Sequence, residues 1–524
     1  MRTKRSTLND RPGDRTYRSY RSYGSYALAL GALGALFAGS VSAQDLGIKA
    51  PPQSKPYLIL NATIHPITAR PMEGWILLDL GEIQGLGMGQ PPEQFRRMIP
   101  ASAEVIEGKG KHVYPGLIAA NTQLGLAEIA AVRASNDFRE VGAVTPEVRA
   151  ASSINPDSTL IPVTRSNGIL TAAVFPEGGR IPGRVSVIRM DGWTWEEMSI
   201  VEDAGVAVEW PQMRPVAAAW MERSEAEQAE ETRKAVAVIE DSFASARAYL
   251  DAREADPTLP VDLRWEAMRG VFPAKEGPEG GGDAQGRTPT GPADAGARDA
   301  RVARQAGVAA PQGPRPPEIR QKKVFITAQD VDQITAAVAW AVRSELKPVI
   351  VGGRDAPLVA DLLKRHGVPV IITGTHSFPK RADSPYDDAF TLPARLAAAG
   401  IRFAIASADR TAHERNLPYN AATAVAYGLA PEAALRSLTL DAAEIMGIEN
   451  RHGALESRRP ATVVLTDGDI LEVTTNVERA WIDGREIDLS NKQTVLADKY
   501  REKYRQKGSM GAGKNGEGRD AKGP

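Results

Sequence analysis

The chain has no cysteine, so it holds no disulfide, offers no thiolate to a metal and has no thiol nucleophile. It has only six histidines, which limits the imidazole available for metal binding or proton transfer. An excess of charge of either sign is missing too: 64 Lys and Arg stand against 65 Asp and Glu, a formal −1. That balance gives no reason to expect nucleic acid or an anionic membrane as a partner. One apolar run stands out, Tyr26 through Phe37, and it is short for a membrane span.

That run follows an Arg-rich start and leads to Val41-Ser42-Ala43 before Gln44, the pattern of a secretory signal peptide over residues 1–43. The other reading is an uncleaved N-terminal anchor. With no cysteine after the cleavage site, a bacterial lipoprotein is excluded. The leader's seven basic residues against Asp10 and Asp14 make a net +5, so the formal −1 of the whole chain leaves about −6 for the mature part. The expected location is periplasmic or secreted, with no integral membrane segment after cleavage.

Tyr57–Ile64 and Trp75–Leu78 near the start read as short strands, as do Ala461–Leu465 and Val477–Ile482 near the end. Strand-rich pieces at both ends predict one small β domain assembled from residues 44–114 and 453–490. Between them, apolar runs alternate with helical patterns, which predicts parallel strands covered by helices. The candidate strands are Gly116–Asn121, Leu170–Pro176, Arg184–Met190, Val206–Trp210, Val324–Gln329, Pro348–Gly353, Pro369–Gly374 and Arg402–Ser407. Helices are clearest at Ser224–Ala255, with Ser224 as N-cap, and at Asp330–Ser344, Ala356–His366 and Ala421–Gly428. This is an α/β body over 115–452, and its strand count fits a (β/α)₈ TIM-like barrel; periodicity alone leaves an open doubly wound sheet as the alternative. Residues 274–319, rich in Gly, Pro and Ala, read as a disordered insertion, and 491–524 as a C-terminal helix followed by a disordered tail.

Four segments carry a resemblance. They are Pro115-Gly116-Leu117-Ile118; Gly178-Gly179-Arg180-Ile181-Pro182-Gly183 with Asp191-Gly192-Trp193; Ser407-Ala408-Asp409 with Arg415-Asn416-Leu417-Pro418-Tyr419; and Leu438-Thr439-Leu440-Asp441-Ala442-Ala443-Glu444-Ile445-Met446-Gly447 with Arg451-His452-Gly453. Together they resemble the amidohydrolase superfamily, bacterial amidohydrolases related to imidazolonepropionase in particular. The resemblance implies a distorted barrel with its site at the C-terminal strand ends, a β-sandwich built from both termini, and hydrolysis of a non-peptide C–N bond of the cyclic amide type. It also implies a divalent metal such as zinc, held by histidines, that makes hydroxide at neutral pH.

At the positions where that family carries metal ligands, this chain reads differently. The His-x-His of the first barrel strand falls on Asn121 and Gln123, the fifth-strand histidine on Thr327 or Gln329, and the sixth-strand histidine on Gly352. Neutral amides are feeble zinc ligands and glycine offers nothing. The family's general base matches Asp409, which equally reads as a helix cap or turn residue. No metal ligand and no cofactor are therefore expected; if the chain is active, a divalent metal such as zinc is the cofactor the resemblance implies.

His376 and His413 remain as imidazoles for acid–base work or, with Asp409, for a relocated metal, with an ordinary loop role as the alternative. His65, His112, His366 and His452 read as structural or exposed. With Asp409, His376 and His413 as catalytic candidates, Asn121, Gln123, Gln329, Arg354 and Asn416 are the expected pocket residues. Gly352-Gly353-Arg354-Asp355 reads either as an anion site or as a tight turn capped by Asp355, and Gly178-Gly179-Arg180 is open in the same way. Val349–Gly374 lacks the full glycine fingerprint of a nucleotide-binding unit. Two functions stay in view: an exported hydrolase of non-peptide C–N bonds, and a metal-free pseudoenzyme that binds a small molecule or an envelope partner.

Overall fold

The computed structural model describes residues 47–514 apart from Met98, Ala130, 218–220, 274–320 and 408–410. The signal peptide, the whole insertion 274–319 and Asp409 therefore lie outside the described residues. In chain order the strands are β1 (Tyr57–Ile64), β2 (Met72–Asp79), β3 (Glu82–Met88), β4 (Glu104–Glu107), β5 (His112–Pro115), β6 (Leu117–Thr122), β7 (Ile169–Val174) and β8 (Gly183–Arg189). They continue as β9 (Ser199–Glu209), β10 (Lys323–Ala328), β11 (Lys347–Gly352), β12 (Val370–Thr373), β13 (Phe403–Ala406), β14 (Val463–Thr466), β15 (Val477–Ile482) and β16 (Arg485–Glu486).

Strands β6 to β13 form one eight-stranded sheet in sequential order, and β13 lies back against β6, so the sheet is nearly closed. Side chains alternate along each strand with the period of two that a pleated backbone imposes. Val324, Ile326 and Ala328 face the helices, packed with Ile334, Ala337 and Val338. Phe325 points inward to meet Val349, Val351, Ile371 and Ala404. A strand buried on both faces must be apolar throughout, which is why these segments read as continuous Val/Ile/Ala runs.

The expectation of parallel strands throughout needs one correction. Strand β8 runs antiparallel to both β7 and β9, while the other neighbours in the sheet are parallel. The connections on either side of β8 are residues 175–182 and 190–198. Neither is long enough for the helical crossover that a parallel return requires, so the chain doubles back instead.

Helix starts follow from capping chemistry. Ser224 caps the helix Glu225–Ala255 through a reciprocal box with Glu227, as expected. Asp330 and Gln333 form a second box at the helix Val331–Arg343. The helical pattern at 356–366 resolves into a 3₁₀ turn, Ala356–Val359, and a short helix, Ala360–Arg365. Asp355 makes no side-chain capping bond; Arg381 engages both of its carboxylate oxygens at 2.8 and 2.9 Å. The C-terminal helix expected from residue 491 runs Lys492–Lys514. On either side of residues 274–320 the chain is clamped to itself: Lys322 N donates to Gly270 O at 2.7 Å, and Gln321 Nε2 donates to Val271 O at 3.0 Å.

The two ends of the chain build a second eight-stranded sheet in the order β16-β15-β14-β5-β1-β2-β3, with β4 on β1. Its seam is β14 against β5, where Val463 to Thr466 pair antiparallel with Pro115 to His112. The sheet thus draws its strands from both ends of the chain. A buried charge cluster fastens it to the barrel. Asp191, just after β8, accepts from Arg165 Nη1 at 3.0 Å and from the Ala50 amide at 3.2 Å, and Arg485 Nη1 of β16 lies 3.4 Å away.

Two histidines are held neutral by burial. His452 is 7% exposed, and burial together with nearby arginines lowers it to about 4. His65 stacks on Tyr114 with ring centroids 4.1 Å apart and meets His112 at 3.0 Å; burial and the His112 charge lower it to about 4.

Because both folded-state values lie below the ordinary value near 6.5, the unfolded chain binds more protons as pH falls from about 6.5 towards 4. Stability is therefore full above about pH 6.5 and is lost through that window, at up to about 1.4 kcal/mol per pH unit for each imidazole. Urea unfolding at pH 7, 6, 5 and 4.5 measures this, with His452→Gln flattening part of the slope. In the same assay, Asp191→Ala strands the buried Arg165 charge and lowers stability by about 3–5 kcal/mol.

Candidate active site

A cavity of about 1030 Å³ opens at the C-terminal ends of the barrel strands. Its wall takes Asn121, Thr122 and Gln123 from the end of β6, Glu209 from β9, Thr327 and Gln329 from β10, Gly352 and Arg354 from β11, and Thr373 from β12. Phe138, Phe175, Phe325 and Phe378 supply apolar surface, Phe175 meeting Phe325 edge to face at 5.2 Å. Strand β6 carries a bulge here, since Ala120 and Asn121 stand opposite the single residue Ala173 between the pairs Ala119–Ala172 and Thr122–Val174. An extra residue of this kind re-aims the side chains beside it, and it brings Asn121, Thr122 and Gln123 all onto the cavity wall.

The structure thus gathers Asn121, Gln123, Gln329 and Arg354 at one cavity, and Thr327 and Gly352 with them. The histidine candidates are placed elsewhere. His376 is exposed, its Nε2 2.7 Å from Thr423 Oγ1, and is not among the lining residues. His413 is exposed and also absent from the lining. Asn416 precedes the helix Leu417–Ala426, where its carbonyl accepts from Asn420 Nδ2 at 3.2 Å, away from the cavity wall. Asp409 lies outside the described residues; Thr411 lines the cavity.

Five charged lining residues were not singled out from the sequence, Arg139, Glu177, Glu209, Lys380 and Asp388, and Arg180 joins them from a motif left open between an anion site and a turn. Glu209 ends β9, and a charged residue at the C-terminal end of a barrel strand is the signal that marks it. Its Oε1 accepts from Thr327 Oγ1 at 3.0 Å. Burial raises Glu209; the Thr327 bond works against this, the Glu177 charge adds to it, and Arg180 partly offsets it. Glu177 follows Pro176 after β7. Its side chain is 48% exposed, opening onto the cavity, with Arg139 Nη2 3.9 Å away. Burial raises it too, against the pull of Arg139 and the Gln123 amide.

The Gly178-Gly179-Arg180 motif acquires a reason. Both glycines have positive φ, +96° and +70°, a region that side chains rarely tolerate. A Cβ on Gly179 would stand 2.6 Å from Gly142 O. The tight turn lets Arg180 reach the wall, where its Nη1 donates to Glu209 O at 3.4 Å while Glu209 N donates to Arg180 O at 3.0 Å. Gln333 ties the next strand end in by donating from Nε2 to Trp210 O at 3.3 Å and accepting from Gln329 N at 3.0 Å.

The residues present do not fit the family's metal. Among the described residues no group of three or more His, Cys, Asp or Glu side chains is placed to hold an ion. The replacement reaches beyond single positions: Gly352 has φ +103°, and a Cβ there would fall 2.1 Å from Gln329 Nε2. The Gln329 amide fills the volume that a residue on β11 would need.

A nearly closed eight-stranded barrel sheet with a cavity at its strand ends, joined to a β unit drawn from both ends of the chain, is the scaffold that carries these residues. Residues 323–487 match the model of the amidohydrolase family, which upholds the resemblance read from the sequence at the level of the superfamily. An amidohydrolase from Thermotoga maritima is similar in fold, with TM-score 0.64 and 23% identity, covering 82% of this chain and 99% of that one. Lower likenesses include a prolidase complexed with N-methylphosphonate-L-proline, at 15% identity, TM-score 0.43 and coverage of 83% and 100%. A zinc-bound adenosine deaminase from Xanthomonas campestris has 16% identity, TM-score 0.42 and coverage of 87% and 100%. No curated protein matches this chain.

Gly352→Ala is expected to lower stability by about 1–3 kcal/mol, from its positive φ and the clash with Gln329. In a Gln329→Ala background the same change should be milder. A double-mutant cycle by chemical denaturation gives the coupling, about 0.5–3 kcal/mol if the two side-chain positions compete for one space.

Proposed function

We propose that the chain is an exported hydrolase of amidohydrolase type, periplasmic or secreted, that acts on a non-peptide C–N bond of a small cyclic amide without the family's metal centre. One observation carries this reading. Every position at which the family's histidines are expected lines a single cavity, yet each bears an amide, a hydroxyl or no side chain, while carboxylates and guanidiniums remain on the same wall. A large cavity with aromatic walls and convergent polar groups suits a small molecule with polar ends. Export rests on the leader in residues 1–43, and the reading of the composite β unit as the family's sandwich rests on the resemblance. Among the described residues no helix is long and apolar enough to cross a membrane.

The second reading, a pseudoenzyme that binds without turnover, is favoured by Gln329 occupying the space above Gly352, since a site that can no longer accept its ligand has drifted from the ancestral chemistry. Turnover of a cyclic amide separates the two.

Elemental analysis of the purified mature protein is expected to find zinc, iron and manganese well below one per chain. About one metal per chain, lost together with activity in Asp409→Asn, would overturn the metal-free reading.

A further inference from the structure

Glu177 and Glu209 come from different strand ends, and neither belongs to the positions where the family's histidines are expected. The backbone holds them to one wall. Glu209 and Arg180 exchange hydrogen bonds at 3.0 and 3.4 Å, and Glu177 stands three residues before Arg180, across the two-glycine turn. Both carboxylates line the same cavity, between Gln123 and Thr327.

We propose that Glu177 and Glu209 are the acid–base pair of this cavity, Glu177 taking a proton from the attacking water and Glu209 giving one to the leaving nitrogen of an amide-type substrate. The proposal rests on the reading of the cavity as a metal-independent C–N hydrolase. Their surroundings differ in the way that separates acid from base. Arg139, 3.9 Å from Glu177 Oε2, and the Gln123 amide favour its charged form. Glu209 is more enclosed and feels the Glu177 charge, so of the two it keeps its proton longer. Thr327 Oγ1 donates to Glu209 Oε1, so the proton of the neutral acid belongs on Oε2.

The step balances without a metal or a redox partner. Water oxygen bonds to the carbonyl carbon as Glu177 takes one water proton, with the carbonyl electrons moving onto oxygen beside Arg180. When the C–N bond breaks, its electron pair stays on nitrogen and takes the Glu209 proton. One water is consumed; the acid and amine parts of the opened ring are released; the proton then passes from Glu177 to Glu209 through solvent.

The test uses the full mature chain, treated with EDTA, and three probes: hydantoin, dihydrouracil and 5-oxoproline. Hydrolysis of at least one is expected to survive EDTA, and to fall about 100-fold or more in kcat/KM in Glu177→Gln and in Glu209→Gln. Wild-type turnover is expected to rise and then fall with pH, both limbs lying above the ordinary glutamate range near 4.3. Independently of turnover and of any variant's folding, ¹³C NMR of glutamate-labelled wild type should show two carboxyls titrating above that range, and the Glu209 signal should move down in Glu177→Gln. Turnover that EDTA abolishes overturns the metal-independent reading on which the proposal stands. Turnover that survives EDTA and either glutamine variant overturns the pair alone, as does ordinary titration of both carboxyls. No turnover of any probe overturns the hydrolytic role.

Discussion

The carboxylate of Asp191 carries the connection between the two halves of this protein. It is almost fully buried, and it satisfies a guanidinium of the barrel, an amide of the incoming chain and a guanidinium of the last strand. A buried charge is tolerated only where partners converge on it, so its presence dictates where those three segments lie. The strand seam of β14 on β5 adds direction to the same union. The barrel body thereby begins from a fixed point: Pro115 ends β5 and Leu117 begins β6, whose far end reaches the cavity.

Much of the scaffold is legible in the sequence because it rests on local rules. Short Val/Ile/Ala-rich runs set off by Gly and Pro read as buried strands, Ser224 and Asp330 are capping residues with partners three positions on, and each of the eight candidate barrel strands overlaps an observed one. Strand direction is a different matter. It depends on how far the chain must travel between strands, and the glycine and tryptophan motifs around β8 are silent about that until the lengths of 175–182 and 190–198 are weighed against a crossover.

The site is half legible for a related reason. Asn121, Gln123, Gln329 and Arg354 are found by position along strands, and they do converge. His376 and His413 are read from residue type, and type does not say which way a loop turns: the His376 ring finds Thr423 instead. Glu209 carries a signal in its place at the end of β9, whereas Glu177 is marked by nothing in its neighbours; its character comes from enclosure, Arg139 and the Gln123 amide. Gln329 and Gly352 show the same limit. Each looks like an isolated substitution along the chain, and only contact across two strands makes them one change.

The clamp of Gln321 and Lys322 onto Gly270 and Val271 lies at the start of β10, and the cavity lies at its end. The chain that leaves at residue 273 therefore returns at the same spot, one barrel height away from the cavity. Because its ends are already closed, the length of what lies between adds little entropy cost to folding. That makes the floor of the barrel a splice port: sequence can be gained, lost or exchanged there over evolutionary time, or a reporter domain grafted, while the rim around the cavity stays as it is.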